Sequence, residues 1–417
     1  MKPVLICGIV LWMAALSARA TDDSISKLAQ DPACLRGLSW IDKNVGWVTE
    51  QQIRLTEIPA PELGEARRGE ALRALFALSG FDVRTDQTGN VIGERTGSDP
   101  KSVVLFVAHL DTVFPAGTDV RVKHERGRLT APGISDNGAG LAAIVGLARA
   151  LAESQIRTEK TIVLSGDVGE EGEGNLRGIR ALVEEYGSRL SAVIAVDGPS
   201  AEYITNQAIA SRRLEAVVAG PGGHSWSDFG IANPITALAR GMVRFATTPV
   251  PDDPRTTYNF GVVEGGTSVN AIPSRASVKI DLRSEDESEL ARLEASLRQA
   301  MQSGVNEELA ATHSSNSMLQ LGFRSLGTRP AGKLPEDSPL VTTIRDVDSF
   351  LGNRSRLERS STDANIPLSL GIPALALGGG GKGGGSHTPE EWFDPAGREL
   401  GLKRLFLAAV ALAGIER

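Results

Sequence analysis

The sequence predicts an α/β chain with a smaller α+β domain inserted into it. Three observations carry this. Short apolar runs alternate with helical stretches over most of the chain, as in a layered α/β sheet. One internal stretch, from about Ser211 to Thr328, instead reads β-α-β-β-α-β, the order of a ferredoxin-like unit. Residues of metal-binding type follow the apolar runs, and open α/β sheets bind ligands beyond the carboxyl ends of their strands.

The elements follow in order. Lys2, an apolar stretch from Val4 to Leu16 and Ser17-Ala18-Arg19-Ala20 read as an export signal, with cleavage expected after Ala20. A membrane anchor is the competing explanation, but a span needs about 20 apolar residues and this run is shorter. A helix is expected over Ala66–Leu78, where Leu72, Leu75 and Leu78 keep helical spacing and Gly80 is a stop. Phe81–Arg84 and Asn90–Arg95 flank Gln87-Thr88-Gly89, a hairpin signal. Val103–Val107, Thr161–Ser165, Ala192–Val196 and Ala374–Leu377 read as strands buried on both faces. Leu141–Glu153 and Arg177–Glu185 read as covering helices.

Inside the insert, strands are expected at Leu214–Val218, Tyr258–Val263, Ser277–Leu282 and Met318–Phe323. Helices are expected at Pro234–Ala246 and Glu287–Ala310. The first domain resumes after Pro330, with helices near Leu340–Phe350 and Arg398–Leu412. The expected organisation is therefore a signal peptide over 1–20, a sheet domain over 21–210 and 329–417, and an insert over 211–328.

At 417 residues the chain has room for two or three domains. Its 41% hydrophobic and 23% charged residues are those of an ordinary globular protein. A net charge of −7 with no basic cluster argues against a nucleic-acid partner. Signal cleavage would leave Cys34 as the one cysteine, so no internal disulfide is expected. An exported, cysteine-poor protein suits a bacterial periplasm or secretion, with no membrane attachment after cleavage.

Five residues form the candidate metal set: His109, Asp136, Glu171, Asp197 and His387. Two imidazoles and three carboxylates are too few for two closed sites, but suffice for two divalent ions if one carboxylate bridges them. His109 follows its strand, with Asp111 two residues on and pointing the same way along an extended segment. Asp111 is expected to accept the His109 ring N–H and fix its tautomer. A core histidine bonded to a carbonyl is the commoner fate of a lone His. Glu170-Glu171 lies between Gly169 and Gly172, so it reads as a turn leaving a buried strand and not as a solvated acidic run. Adjacent carboxylates point apart, which lets Glu171 ligate while Glu170 acts as general base. Gly378–Ser386 lacks the spacing of a phosphate loop and is expected to be a mobile loop carrying His387. His124 and His313 read as surface residues. His224, in Gly220-Pro221-Gly222-Gly223-His224-Ser225, is a turn histidine or a functional one at even odds.

In order along the chain, these motifs resemble the co-catalytic zinc peptidase and deacylase family that includes glutamate carboxypeptidase G, peptidase T, aminoacylase and succinyl-diaminopimelate desuccinylase. The resemblance runs from Ile58-Pro59-Ala60-Pro61 through His387-Thr388-Pro389-Glu390-Glu391-Trp392. It implies a mixed-sheet zinc-peptidase catalytic domain with an inserted ferredoxin-like lid and dimerisation domain. It implies Asp136 as bridging ligand, His109 and Asp197 on one Zn²⁺, Glu171 and His387 on the other, and Glu170 as base. Two Zn²⁺ per subunit are expected, with Co²⁺ or Mn²⁺ as substitutes. His224 and Asn270 are expected to contribute to substrate binding, and Arg283 stands at a family-like position. His224 is expected to reach the active site of a partner in a homodimer. A cis peptide between Asp136 and Asn137 is implied as well. One departure is Val168-Gly169 before the glutamate pair, where the family more often has an acidic residue.

The function expected is hydrolysis of small peptides by a metal-activated water. The alternative is an N-acyl-amino-acid deacylase with the same chemistry. A non-catalytic binding homologue is disfavoured, because every ligand and the base are present.

Overall fold

The computed structural model describes residues 24–125, 127–313 and 317–416. The expected export signal lies outside these residues. The chain divides into two compact units, residues up to Gln207 together with Lys333–Arg417, and Ala208–Gly332.

The larger unit is built on a mixed sheet. From one edge its strands run Asp82–Thr85, Val91–Arg95, Lys160–Asp167, Asp99–His109, Leu190–Val196, Ala374–Leu377 and Tyr203–Ala208. The four strands from Lys160–Asp167 to Ala374–Leu377 are parallel. Val91–Arg95 and Tyr203–Ala208 flank them antiparallel. The apolar runs explain the placement. Val103, Leu105 and Val107 alternate with Val104, Phe106 and Ala108, and all six are buried. Successive side chains on a strand face opposite ways, so both faces are covered. Val104, Phe106, Ile162, Leu164, Ile194 and Leu375 share one core with the helices Pro32–Thr56, Gly138–Ser154, Pro339–Leu351 and Arg398–Ala413.

Helix Pro32–Thr56 has no counterpart among the expected elements. Asp31 caps it through a bond to the Ala33 N–H, Pro32 fits its first turn, and Asn44 kinks it. A small four-stranded sheet was also not expected. It joins Lys382–Gly384, Trp392–Asp394, Arg128–Thr130 and Lys123–Glu125.

That sheet overturns the expectation of a mobile loop at Gly378–Ser386. Gly378, Gly379 and Gly380 are buried, and Lys382–Gly384 is paired. The glycines are required by close backbone approach. A Cβ on Gly380 would lie 2.3 Å from the Arg398 carbonyl oxygen, and one on Gly401 would lie 2.3 Å from the Gly380 Cα. The segment is a packed strap from the last parallel strand to His387.

The smaller unit carries a four-stranded antiparallel sheet in the order Thr256–Gly265, Arg275–Ser284, Ala210–Ala219, Gln320–Arg329. Helices Pro234–Ala246 and Glu287–Ala311 connect them in β-α-β-β-α-β order. Leu214, Ala216, Val278, Ile280 and Leu282 pack with Leu238, Phe245, Leu293 and Leu297. Among the described residues, no helix is long and apolar enough to cross a membrane.

Candidate metal centre

Six side chains converge beyond the carboxyl ends of the four parallel strands. His109 ends one strand, Asp197 follows the next, and Glu170 and Glu171 lie in the turn after Asp167. His387 comes from the strap after Leu377, with its backbone at φ 67°. Asp136 stands just before helix Gly138–Ser154.

Asp136 is the centre of the arrangement. Its Oδ1 lies 3.1 Å from His109 Nε2, and its Oδ2 lies 3.2 Å from His387 Nε2. Asp197 Oδ1 lies 3.9 Å from the same His109 nitrogen. Glu171 Oε1 lies 3.0 Å from His387 Nε2. Two groups result, His109–Asp136–Asp197 and Asp136–Glu171–His387, each with ligand-type atoms within 4.8 Å of one another. Asp136 belongs to both. Glu170 groups with His109 and Glu171 within the same distance.

The neighbouring residues show why the chain folds this way. The peptide bond between Asp136 and Asn137 is cis. Asn137 caps the following helix by accepting the Gly140 N–H at 3.0 Å. Its amide also donates to the Val196 carbonyl at 2.9 Å, and its oxygen accepts the Gly198 N–H at 3.2 Å. One side chain therefore ties the Asp136 turn to both sides of Asp197. Asp111 is fully buried and accepts the N–H groups of Glu170 at 3.1 Å and Glu171 at 2.8 Å. The Asp111 carboxylate also interacts with the His109 ring, as expected, but its carbonyl lies nearer. His109 Nδ1 lies 3.1 Å from the Asp111 carbonyl oxygen and 3.7 Å from its Oδ1. One residue therefore holds the ring through its carbonyl and its carboxylate while the carboxylate also holds the glutamate turn.

The glutamate turn has a second support. Gly169 has φ 69°, a conformation side chains disfavour, and the Arg177 guanidinium packs against it while pairing with Glu65. Val168-Gly169, where the resembled family more often has an acidic residue, is part of this support. Val168 is buried, and the glycine leaves room for Arg177.

The electrostatics fit a pair of cations. Burial works against the charge of Asp136, but the His109 and His387 rings outweigh it and hold the carboxyl below its usual range. Burial and the Asp136 charge push Asp197 up to about 8. Hydrogen bonds to Asp136 and Glu171 lift His387 to about 10. Four carboxylates crowd around two imidazoles, and mixed N/O donors of this kind suit Zn²⁺, Co²⁺ or Mn²⁺. The donor set and its sharing of Asp136 match a dinuclear centre.

Several residues of the centre were not expected. Asn137 could have been read from its helix-capping position before Gly138-Ala139-Gly140. Arg68, fully buried, donates to the carbonyls of Thr56, Ile58 and Leu110 and holds the chain just before Asp111. Asp167 and Asp363 are buried beside the centre. Burial pushes Asp167 up to about 7, and burial together with Asp167 pushes Asp363 up. Glu391 grips the Asp136 turn. No sequence pattern marks Asp363, and Glu391, though inside the His387–Trp392 motif, has no expected role.

The smaller unit brings two expected residues together. Gly223–His224 pairs with Ala271–Ile272, and the Ser225 N–H donates to the Asn270 carbonyl at 3.0 Å. His224 is exposed, and its Nδ1 accepts the N–H groups of Trp226 at 3.2 Å and Ser227 at 3.3 Å. A neutral ring with Nδ1 as acceptor carries its proton on Nε2. Arg283 is exposed and donates to Asp281 at 2.8 Å. His124 and His313 are exposed.

Comparisons with known proteins place the chain in a family. The model of Peptidase family M20/M25/M40 matches residues 105–410. A putative succinyl-diaminopimelate desuccinylase of Mycobacterium tuberculosis is 28% identical over 335 residues, covering 78% of this chain and 88% of the relative. A tripeptidase of Staphylococcus aureus superposes with TM-score 0.72 at 20% identity, covering 89% of this chain and 99% of that one. YXEP of Bacillus subtilis, a dinuclear metal binding peptidase, superposes with TM-score 0.63 at 17% identity, covering 89% of this chain and 99% of its own. The chain belongs to Peptidase family M20/M25/M40 and is a hydrolase of amide bonds.

Proposed function

We propose that this member of Peptidase family M20/M25/M40 is an exported di-zinc metallopeptidase acting on small peptides. The observation that carries the reading is Asp136, which meets a different histidine through each of its two oxygens. His109, Asp136 and Asp197 would hold one ion, and Asp136, Glu171 and His387 the other. The ion pair would polarise the scissile carbonyl and acidify a water.

The chain's own residues do the rest. Glu170 takes the proton of the attacking water and returns it to the leaving amine. It is buried, and Asp111 pins its backbone, so its carboxylate is aimed without depending on solvent. Asp111 also fixes the His109 ring through its carbonyl. His224 offers its Nε2–H to the oxygen that gains charge, and Asn270 stands in the turn just before the paired strand Ala271–Ile272. Arg283 is proposed to contribute to substrate binding.

A second reading is an N-acyl-amino-acid deacylase, favoured by the similarity to the putative succinyl-diaminopimelate desuccinylase. A panel of dipeptides and N-acetyl- and N-succinyl-amino acids, with and without chelator, separates the two. Chelator-sensitive cleavage of dipeptides alone supports the peptidase. Cleavage of acyl-amino acids alone supports the deacylase, and no turnover of either class with Zn²⁺, Co²⁺ or Mn²⁺ rejects both.

Export and a homodimer with a shared site belong to the same proposal. Sequencing the amino terminus of mature protein tests cleavage after Ala20. Mixing tests the shared site. Glu170→Gln and His224→Ala dimers should each be inactive, and exchanged dimers should regain part of the activity. Verified exchange with no recovery, or an active monomer, rejects the shared site.

A further inference from the structure

Glu391 takes no part in the donor set or the proton transfers, yet it is completely buried beside them. Its Oε1 accepts the N–H groups of Ser135 at 2.7 Å and Asp136 at 2.8 Å. Its Oε2 accepts the Gly133 N–H at 2.9 Å. These are short bonds to three of four consecutive residues ending at Asp136. The backbone repeats the connection. Ala131 N–H donates to the Glu391 carbonyl at 3.0 Å, and Ser135 Oγ donates to the Trp392 carbonyl at 2.7 Å.

The other side of Glu391 leads to His387. Its N–H donates to the Thr388 carbonyl at 3.2 Å, and the Thr388 N–H donates to Gly385 at 3.0 Å. Strand Trp392–Asp394 then pairs with Arg128–Thr130 on one side and Lys382–Gly384 on the other. The Glu391 carboxylate is thus a direct clamp between the turn that presents Asp136 and the turn that presents His387.

We propose that Glu391 is a positioning residue that sets the separation of Asp136 from His387, and through it the affinity of the centre for its second cation. The inference rests on the reading of Asp136 as the shared ligand. A side chain that grips three backbone N–H groups leaves the turn one allowed path. Losing the grip frees the turn to relax, because three buried donors then need other acceptors.

The test uses Glu391→Gln and Glu391→Asp. The amide of Gln presents a donor where the turn also presents donors. Asp keeps the carboxyl group but is one methylene too short for all three bonds. Metal-free wild-type and variant proteins are titrated with Zn²⁺ by calorimetry, alongside thermal melts and dipeptide kinetics. In wild type, two ions per chain are expected; a single ion there rejects the shared-ligand reading itself.

With two ions in wild type, Glu391→Gln should weaken the second by about 10–100-fold, the range for residues that orient ligands. kcat should fall by a similar factor while KM stays within about twofold. Asp should lie between Gln and wild type. Lowered melting temperature with unchanged Zn²⁺ affinity and kcat means a purely structural role and overturns the proposal. If Glu391→Gln yields no folded protein, Glu391→Asp decides by the same two criteria.

Discussion

Asp111 Oδ2 lies 2.8 Å from the backbone nitrogen of Glu171, and its Oδ1 accepts the neighbouring N–H of Glu170 at 3.1 Å. One buried carboxylate therefore fixes the backbone of both the proposed base and a proposed ligand. Its carbonyl, through His109 Nδ1, orients a second ligand. Asp111→Asn keeps the shape but turns one acceptor into a donor facing an N–H. About 10–100-fold loss of kcat is expected, with at least one metal ion bound more weakly. Steady-state kinetics with metal analysis after dialysis checks this. Normal kcat and metal content would mean the turn is held by its other contacts alone.

Glu170 and Glu171 are adjacent but are given different tasks. Glu171 meets His387 at 3.0 Å, whereas Glu170 groups with His109 and Glu171 and is assigned no ion. Glu170→Gln should keep both ions and lose about 10²–10⁴-fold in kcat, the usual contribution of a general base. Glu171→Gln should instead lose metal. The pair of variants is checked by metal analysis. Equal metal loss in both would remove the division of labour.

Cation binding should release protons at pH 7. Hydrogen bonds to Asp136 and Glu171 lift His387 to about 10, and burial with the Asp136 charge lifts Asp197 to about 8. Both groups are raised, so both hold a proton below these values, and ligation needs the deprotonated forms. Affinity should therefore fall as pH falls and rise towards pH 8 and above. Calorimetric titration at pH 7 in two buffers of different ionisation enthalpy reads the release. Heats that do not depend on the buffer would contradict it.

The strand ends were legible because a strand buried on both faces must be a short apolar run. Val103–Val107 and Ala374–Leu377 stand out, and the His or Gly-rich turn after each is easy to see. The insert was legible for the same reason, through its apolar strands and long helices. Helix Pro32–Thr56 was not, because Gly37, Gly46 and the kink at Asn44 interrupt its pattern. Strands of three residues, such as Lys123–Glu125, are too short to show a period. Glu391 and Arg68 were hidden for another reason. Their partners are backbone groups distant in sequence or carried by any residue, so no spacing records them. The Gly378–Ser386 segment misled because glycines look alike whether they give freedom or close packing. Only the backbone lying against them tells which.

That distinction gives a last test. Gly401 sits inside helix Arg398–Ala413, where glycine is normally a weak choice. A Cβ there would lie 2.3 Å from the Gly380 nitrogen and Cα, both backbone atoms that cannot swing aside. Gly46 sits inside helix Pro32–Thr56, and a Cβ there would meet nothing within 4 Å. The two positions share the helical propensity term and differ in packing. Gly46→Ala should stabilise the protein by up to about 1 kcal/mol, the propensity difference between the residues. Gly401→Ala should destabilise it by about 1–3 kcal/mol, as overpacking does. Because Gly380 leads through the strap to His387, Gly401→Ala should also lower Zn²⁺ affinity, while Gly46→Ala leaves it unchanged. Chemical denaturation and Zn²⁺ titration of both variants read the contrast. A Gly401→Ala protein as stable as Gly46→Ala, with wild-type Zn²⁺ affinity, would show that the strap can shift away from the helix without disturbing His387.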